Sequence, residues 1–578
     1  MVRHQSFRDL AWSVSNKRWA APLIALLLAA CAAKPPKTAT ELPPHEEARG
    51  KLSYAVATES QLATEAAEAI LERGGSAVDA AIAAVLVSGV TVPSASGIGG
   101  GGFALVWDAK AKKATILDFR ETAPQGLDPA ELEKRPAARG ALVGVPGEIA
   151  GLLEMHQRWG KLPLKDDFAR AIELAEKGFT PNPHVLRVIK AQPNALTECP
   201  QLGTWLGVGP GGVVASTPTN PSPSPTGANP ALGSTLRTIA GKGRAGFYEG
   251  FVAHWIVDAV KSNGGAMSLD DLRNYKVIER EPLRGSWEGY DIITMPPPSA
   301  GGLMLLELLG SFDAKDLAAQ DPATASGAHV LAETLRASFA DRMKHVGDPA
   351  FGGHALDGLL NPSRLKARRA AIKADASHTP ASYIAEDHGT SHLVITDRDG
   401  NIVSLTTTVN GPFGSRVFAE GPGILLNDEM DDFTRRYRAA EMGVADPPGV
   451  MKPGARPPSS MTPTLVMKNG EPVLSLGGSG GLRIATGVSL VTAAVLGRGV
   501  PIAQAISQAR LHVSPGGELV VEQNALDAPA RKGLNAAGER IREETNISAI
   551  QGVTWRGGKL EAASDPRKHG VAAVHPAK

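Results

Sequence analysis

The chain has 578 residues, of which 43% are hydrophobic and 21% charged, a globular composition long enough for several domains. Lysine and arginine number 60 against 59 acidic residues, a formal net charge of +1. This balance, without a basic stripe interleaved with aromatic residues, argues against nucleic acid as a partner.

The N-terminal segment has the pattern of an export signal. Residues 1–19 are rich in basic side chains, and residues 20–31, AAPLIALLLAAC, are apolar up to Cys31. This run is shorter than the roughly 20 residues that span a bilayer, and it fits a secretory signal. Its ending, LAAC, is similar to the lipobox of bacterial lipoproteins, in which the cysteine is acylated and becomes the mature N-terminus.

We therefore expect a signal peptide over residues 1–30, lipidation of Cys31 and a proline-rich tether over residues 31–51. The protein would lie in the periplasm or cell envelope, in contact with a membrane only through the lipid. An ordinary signal peptide that happens to contain a cysteine is the alternative. The chain has only one other cysteine, Cys199, so a lipidated Cys31 leaves it without a disulfide partner.

From Leu52 the pattern becomes that of a packed domain. Apolar spacing predicts helices in TESQLATEAAEAILERGG and SAVDAAIAAVLVSGV, the second opened by Ser76 and Asp79 as a capping box. A hairpin is predicted in GGFALVWDAKAKKATILDF, and helices in SLDDLRNY, SAGGLMLLELLGSF and GAHVLAETLRASFADRMKHV. Five prolines within residues 216–230 predict an exposed loop insertion.

After Gly389 the predicted elements are mainly strands. SHLVITDRDGNIVSLTTTV and PTLVMKNGEPVLSLGGSGG each read as two strands around a turn, Asp399-Gly400 and Asn469-Gly470 respectively. Two helices follow in GVSLVTAAVLGRGVPIAQAISQARLH. Helices and antiparallel strands in both halves predict an α+β layered architecture.

Several motifs argue against cofactors. GIGGGGF contains the dinucleotide-binding spacing, but the strand-like FALVW follows it where that site needs a helix. GGSGG lacks the Lys-Ser/Thr of a phosphate-binding loop. Its glycines instead favour a loop whose backbone N–H groups come close to a small, negatively charged group. The histidines show no metal-binding spacing, so we expect neither a metal nor a cofactor. Taken alone, Thr390 is typical of the first residue of a strand.

Read together, a set of motifs resembles one enzyme family. GTSHLVITDRDGNIVSLTTTVNGPFGS, GILLNDEMDDF, RPPSSMTPTLV and GGSGGLRI resemble, in order and approximate spacing, the small subunit of the gamma-glutamyltranspeptidases. DFRETAP, GVPGEIAGL, GFYEG, MPPPSAGG and FADRMKHVGDP resemble its large subunit, and AASDPRKHG its closing motif. The resemblance extends from about Leu52 to the C-terminus.

The resemblance implies the four-layer αββα fold of the N-terminal nucleophile hydrolases. It also implies a precursor that cuts itself between Gly389 and Thr390. The products would be a large subunit, residues 52–389, and a small catalytic subunit, residues 390–578, joined as a heterodimer. The cut makes chemical sense because a threonine hydroxyl needs a base, and a new α-amine, with a pKa of about 7.7–8.0, can serve as one.

The resemblance also assigns roles to individual residues. Arg120 would bind the α-carboxylate of a γ-glutamyl group, and Asp432 its α-ammonium. The alternatives are purely structural roles: a surface salt bridge of Arg120 with Glu121 or Asp118, and a helix or turn cap at Asp432. The other implied residues are Asn410 and Glu429 beside the ammonium, Ser459 and Ser460 at the carboxylate, Gly480 and Gly481 at the oxyanion, and Thr408 against the nucleophile.

The implied reaction is a two-step acyl transfer through a γ-glutamyl ester of Thr390. Glutathione and other γ-glutamyl compounds would be donors, and water, amino acids or peptides would be acceptors. The chain departs from the family at residues 478–481, GSGG, where Ser-Pro-Gly-Gly is usual, and around Tyr437, where a lid sequence matches poorly. The alternatives are an acylase of the glutaryl-7-aminocephalosporanic acid type, a poly-γ-glutamate hydrolase, and an uncut, inactive γ-glutamyl-binding lipoprotein.

Overall fold

The computed structural model describes residues 53–133, 138–209, 227–352, 356, 358–377, 389–441, 443–514 and 516–576, together with the backbone of residues 45–49. The predicted signal peptide, Cys31 and most of the tether and of the proline-rich insertion lie outside these residues. Among the described residues, no helix combines the length and the apolar character needed to cross a membrane. Cys199 is a buried free thiol, whose pKa burial raises to about 11.

Strands and helices alternate along the described chain. The strands are β1 (His45–Arg49), β2 (Tyr54–Thr58), β3 (Gly101–Asp108), β4 (Lys113–Asp118), β5 (Ile278–Arg280), β6 (Leu283–Trp287), β7 (Tyr290–Thr294), β8 (Gly389–Thr396), β9 (Ile402–Asn410), β10 (Phe418–Ala419), β11 (Ile424–Leu425), β12 (Thr464–Lys468), β13 (Glu471–Ser479), β14 (Leu511–Val513), β15 (Leu519–Glu522), β16 (Ile541–Glu544), β17 (Ala549–Arg556), β18 (Lys559–Ser564) and β19 (Val571–His575).

The helices are α1 (Gln61–Glu72), α2 (Ala77–Thr91), α3 (Pro129–Glu133), α4 (Glu148–Trp159), α5 (Leu164–Lys177), α6 (Pro183–Ala191), α7 (Ala195–Glu198), α8 (Gln201–Leu206), α9 (Pro230–Lys242), α10 (Ala245–Tyr248), α11 (Gly250–Ser262), α12 (Leu269–Asn274), α13 (Gly301–Ser311), α14 (Ala314–Ala318), α15 (Ala325–His345), α16 (Pro362–Ala370), α17 (Arg436–Glu441), α18 (Arg483–Thr492), α19 (Ile502–Ser507) and α20 (Ala528–Ala536). A π-helical turn, Ala493–Gly497, extends α18, and a 3-10 turn, Glu429–Asp432, follows β11.

Two seven-stranded sheets form the centre of the molecule. The first sheet has the order β19-β2-β8-β9-β3-β4-β5, and the second has the order β1-β18-β17-β13-β12-β7-β6. All their neighbouring strands pair antiparallel. Strand β1 falls within the segment that we expected to be a tether, and its five residues pair with β18.

Alternating side chains divide the first sheet between two cores. In β2, Tyr54 and Val56 pack with the α1 and α2 side chains, whereas Ala55 and Ala57 pack with side chains of the second sheet. This follows from the period of two in a strand. Helices α2 and α4 contact the first sheet, β8 and β13 face each other, and α13 and α18 contact the second sheet. The predicted four-layer αββα order is confirmed.

The local predictions are confirmed as well. Helix α2 opens with a capping box in which Ser76 and Asp79 bond each other's backbone N–H groups. The turn Asp399-Gly400 joins β8 to β9, and Asn469-Gly470 joins β12 to β13. In both turns the glycine has a positive φ. Asn469-Gly470 is a two-residue hairpin loop with both residues at positive φ, whereas Asp399-Gly400 lies within a five-residue connection, residues 397–401.

The glycine run of GIGGGGF lets β3 approach β9 closely. A Cβ atom on Gly100 would lie 1.9 Å from the backbone oxygen of Thr408, and one on Gly102 would lie 2.1 Å from that of Thr406. Any side chain at these two positions would overlap β9. The run therefore serves strand packing beside Thr408, in agreement with the argument against a dinucleotide site.

Candidate active site

Thr390 lies at the start of β8, on the face that meets the second sheet. Its pairing partner across the strands is Thr408 of β9, and the two hydroxyl oxygens are 3.4 Å apart. Val394, four residues along β8, packs in the core between the sheets, which fixes the direction of Thr390 by strand alternation. Both threonines are buried.

The backbone around Gly389 accepts no other residue type. A Cβ atom at this position would lie 2.1 Å from the backbone oxygen of Asn410, and the register shifts between Gly389 and Thr390. The Thr408 hydroxyl donates to the Gly389 carbonyl oxygen at 2.6 Å and accepts from the Asn410 N–H at 2.8 Å. Since Thr408 donates its proton there, the Thr390 hydroxyl is the donor in the longer contact between them.

His392 does not supply a base for Thr390. Burial lowers the pKa of the ring to about 3, so it is neutral at physiological pH. Its Nδ1 bonds the Thr406 hydroxyl at 2.8 Å, and a Cβ atom on Gly477 of β13 would overlap the ring. The imidazole thus fills the space between the two sheets.

A small cavity joins the threonine pair to an ionic cluster. It unites eight of the ten residues predicted to act in catalysis or substrate binding. The lining residues are Arg120, Arg342, Thr390, Thr408, Glu429, Asp432, Ser459, Ser460, Met461, Gly481, Leu482 and Ile484.

Asn410 and Gly480 lie beside this lining. Asn410 Nδ2 donates to the backbone oxygen of Asp428 at 3.0 Å, which fixes the approach to the 3-10 turn that carries Glu429 and Asp432. Gly480 and Gly481 follow β13 with φ of +124° and +59°, values that favour glycine. Tyr437 is half exposed and is not part of the lining.

Arg120 is the centre of the ionic cluster. Its side chain is 1% exposed, pairs with Glu429, and donates from Nη2 to Asp432 at 2.5 Å. Nε and Nη2 also donate to the backbone oxygens of Pro457 and Pro458. Burial alone would lower the pKa of this guanidinium, but the two carboxylates raise it, so the group is charged. The surface salt bridge considered for Arg120 is wrong, because Asp118 pairs instead with Arg280 and Arg456.

Burial and nearby charges act in opposite directions on the pKa values of the carboxyl groups around Arg120. Burial raises the pKa of Asp432, while Arg120 and Arg342 lower it, and the net direction is upward. Burial also raises the pKa of Glu121, the fully buried neighbour of Arg120, which favours its neutral form. The cavity therefore presents cationic and anionic groups side by side and largely buried, where each interacts more strongly with a charged ligand than in bulk water.

Two basic residues at the site were missed from sequence. Arg342 of α15 donates from Nη1 to the Ser460 hydroxyl at 3.1 Å and lines the cavity. Lys568 donates from Nζ to the Thr390 carbonyl oxygen at 2.5 Å and to Glu59 at 3.0 Å. Both stand in motifs noted above, FADRMKHVGDP and DPRKHG. Their place in these motifs was the only signal in the sequence, since the partners of both side chains come from distant segments.

Histidine and acid side chains also cluster away from the cavity. Asp79, His156 and Asp167 form one group, and His329, Glu333 and Glu539 form another. In the first, Asp79 accepts backbone N–H groups of Lys161 and Leu162 at the end of α4. In the second, His329 and Arg336 both bond Glu539. Neither group contributes a residue to the cavity.

Comparison with known proteins decides the family. The gamma-glutamyltranspeptidase family model matches residues 63–575. The chain belongs to the gamma-glutamyltranspeptidase family. It is 32% identical to a glutathione hydrolase proenzyme of Bacillus subtilis (strain 168), covering 94% of each chain. It is 35% identical to a glutathione hydrolase proenzyme of Pseudomonas aeruginosa, covering 90% of this chain and 94% of the relative.

A solved structure supports the fold of this family member. The crystal structure of a cephalosporin acylase from Bacillus halodurans matches with a TM-score of 0.79 at 25% identity, covering 92% of this chain and 97% of the acylase. The predicted N-terminal nucleophile hydrolase fold and the prediction of an enzyme of this family are both confirmed.

Proposed function

We propose that this enzyme cuts its own chain between Gly389 and Thr390 and then transfers γ-glutamyl groups through Thr390. The donors are glutathione and related γ-glutamyl compounds, and the acceptors are water, amino acids or peptides. One observation carries the proposal: the same cavity is lined by Thr390 and Thr408 and by Arg120, Glu429 and Asp432. A γ-glutamyl group presents an α-carboxylate and an α-ammonium, which match these charges.

Contacts at the junction support the cut. Thr408 donates to the Gly389 carbonyl oxygen, which makes that carbonyl carbon more electrophilic. The Thr390 hydroxyl is next to Thr408 and is the nucleophile closest in sequence to the bond. Attack by this hydroxyl, followed by water, leaves a carboxylate on Gly389 and a free amine on Thr390. That amine, carried by the nucleophile itself, then takes the role of base.

Transfer proceeds in two steps, acylation of Thr390 and then release of the γ-glutamyl group. The Thr390 oxygen attacks the γ-amide carbonyl, its proton passes to the α-amine, and backbone N–H groups of Gly480 and Gly481 stabilise the oxyanion. The amine leaving group departs with that proton, and a γ-glutamyl ester remains on Thr390. Water or an acceptor amine then attacks the ester and restores the hydroxyl.

Substrate recognition follows from charge. Arg120 with Ser459 and Ser460 would bind the α-carboxylate, while Asp432, Glu429 and Asn410 would bind the α-ammonium. A lipobox-like LAAC at residues 28–31 supports, as part of the same proposal, export to the cell envelope and a lipid anchor on Cys31.

An acylase that removes glutaryl groups is the second candidate, because the chain resembles a cephalosporin acylase in fold. A glutaryl group lacks the α-ammonium, so it brings no positive charge to Asp432 and Glu429, two carboxylates that share the single guanidinium of Arg120. The ionic cluster therefore favours γ-glutamyl over glutaryl substrates.

The test compares γ-glutamyl-p-nitroanilide with glutaryl-p-nitroanilide. We expect the wild-type enzyme to prefer the γ-glutamyl substrate by kcat/KM, and Asp432→Asn to reduce that preference by about tenfold or more, because a largely buried ionic contact with the substrate ammonium is lost. Asp446→Asn, at a side chain that is 90% exposed, is the matched control and should leave the preference unchanged. A wild-type preference for glutaryl would overturn the assignment.

A further inference from the structure

Helices α2, α4 and α5 bring two carboxylates and an imidazole together in the helical layer that covers the first sheet. Asp79 lies in the first turn of α2, His156 in the last turn of α4, and Asp167 in the first turn of α5. One ligand atom from each lies within 4.8 Å of the other two. His156 Nε2 is also 2.9 Å from the carbonyl oxygen of Leu162, between α4 and α5. All these groups are of types that bind divalent cations.

Asp167 is the residue of this group that indicates a ligand. Its side chain is 0% exposed, and neither carboxylate oxygen has a hydrogen-bond partner among the residues that the structure describes. Its Oδ2 lies 3.8 Å from the His156 Nε2 atom. A buried carboxyl group without a partner is unfavourable unless a cation binds it or a proton neutralises it.

Asp79 is held in place by backbone N–H groups. Its Oδ2 accepts from the N–H of Ser76 at 2.8 Å, of Lys161 at 2.9 Å and of Leu162 at 3.2 Å. Its Oδ1 accepts from the Lys161 N–H at 3.1 Å and keeps a lone pair for a cation. These donors are uncharged, so they orient the carboxylate and leave its negative charge in place.

Basic side chains near the group have other partners. Arg73 and Lys161 are exposed and form ion pairs with acids outside the group. In the second cluster of histidine and acids, by contrast, Arg336 donates to Glu539 at 2.5 Å and supplies a positive charge inside the cluster. The first group has no such charge among the described residues, and a bound cation would supply it.

We propose that Asp79, His156 and Asp167 bind a divalent transition-metal cation such as Zn²⁺. The Leu162 carbonyl oxygen would complete four ligands. Zinc accepts nitrogen and oxygen donors together, whereas Ca²⁺ and Mg²⁺ prefer oxygen donors alone. Ligand atoms around zinc lie about 3.3 Å apart, close to the 3.8 Å between His156 and Asp167. The cation takes the place of the proton on His156 Nε2, and that proton moves to Nδ1, so the ring stays neutral.

The cation would stabilise the helical layer. Its ligands join α2 to α4 and α5, and the Ala77 N–H of α2 donates to Asp397, in the connection from β8 to β9. The described residues that line the Thr390 cavity include none of these ligands. Spacing along the chain does not reveal the site, because its side chains come from three helices. The His156 side chain is 22% exposed, which gives a cation a path from solvent.

The test measures Zn²⁺ binding by calorimetry on the purified protein, after treatment with a chelator and its removal. We expect one Zn²⁺ per molecule, and a melting temperature about 2–3 °C higher at about a hundredfold excess of free Zn²⁺ over Kd. Asp167→Asn, which keeps the shape and removes the charge, should weaken binding about 100-fold or more and abolish the rise in melting temperature. His156→Gln should act in the same way, and Ca²⁺ should bind at least about tenfold more weakly than Zn²⁺.

Asp166→Asn is the matched control. Asp166 lies in the same turn of α5 and pairs with the exposed Arg73, so this change should leave the Zn²⁺ affinity within about threefold of the wild type. A wild-type protein that binds no Zn²⁺ would show that a proton neutralises Asp167 and would overturn the site. Unchanged Zn²⁺ affinity in both Asp167→Asn and His156→Gln, or tighter binding of Ca²⁺, would overturn it as well.

Discussion

The carbonyl oxygen of Thr390 is held by a buried ammonium that the reaction does not use. Lys568 Nζ bonds this oxygen and pairs with Glu59, and the two side chains are 9% and 3% exposed. Burial raises the pKa of Glu59, and Lys568 opposes that rise. The pair connects the end of β2 and the C-terminal segment to the backbone of the nucleophile. It positions Thr390 through its main chain and leaves the hydroxyl directed at the cavity.

Removal of the Lys568 ammonium should therefore destabilise the protein and slow the cut before Thr390. In an uncut Thr390→Ala background, Lys568→Met is expected to lower the free energy of unfolding by about 3–5 kcal/mol, because Glu59 is left buried without its partner. With Thr390 intact, the same change should slow the cut. Urea denaturation and gel densitometry over time measure the two effects.

The exposed Lys532 provides the control. Lys532→Met should change stability by no more than about 0.5 kcal/mol. A further Glu59→Gln change should recover part of the loss in Lys568→Met. If Lys568→Met unfolds like Lys532→Met, the pair has no positioning role.

For individual residues, the sequence predicted which side chains belong to the site but not the contacts between them. Family motifs pointed to Arg120, Glu429 and Asp432, and the cavity contains all three. The pairing of Arg120 with Asp432 joins residues 312 positions apart, and no local pattern predicts such a contact. Arg342 and Lys568 were missed for the same reason, since their partners, Ser460 and Thr390, come from distant segments.

Among the elements, β3 and β9 depend most strongly on one sequence feature, the glycine run. Gly100 and Gly102 have no room for a side chain against the backbone of Thr408 and Thr406. Because Thr408 bonds both the Gly389 carbonyl and the Asn410 N–H, a displaced β9 would disturb the junction as well as the sheet.

Gly100→Ala should consequently destabilise the protein and reduce the fraction of cut chains. The expected loss of unfolding free energy is about 3 kcal/mol or more, since backbone atoms must move to admit the methyl group. Gly241→Ala is the matched control: Gly241 lies in α9, where an added Cβ would meet no atom within 4 Å apart from its own helix backbone and chain neighbours, and alanine favours helix. Gly241→Ala should be neutral or slightly stabilising, and equal behaviour of the two variants would contradict the packing role.

Local signals predicted single elements better than their arrangement. The capping box at Ser76 and Asp79 and the Asp399-Gly400 and Asn469-Gly470 turns depend on neighbouring residues alone, and each was confirmed. The order of strands in the sheets pairs β19 with β2 and β1 with β18, from opposite ends of the chain. Side-chain alternation gives the buried face of a strand but not its partner.

For the whole molecule, the two sheets interleave the segments on either side of Thr390. In the first sheet β2 lies between β19 and β8, and in the second sheet β18 separates β1 from β17. The proposed cut would thus leave two chains that share both sheets and the core between them. Their separation would expose hydrogen-bonding strand edges and apolar surface, so it requires unfolding.

The most direct test of the proposed cut before Thr390, and of Thr390 as the nucleophile, is the mass of the purified protein, measured under native and denaturing conditions. We expect one native assembly that dissociates, in denaturant, into two fragments, the smaller beginning at Thr390 by N-terminal sequencing. Brief exposure to a γ-glutamyl donor should add one γ-glutamyl group to that smaller fragment, and Thr390→Ala should give a single uncut chain. A wild-type chain that remains uncut yet turns over the donor, or a smaller fragment that begins elsewhere, would contradict this proposal.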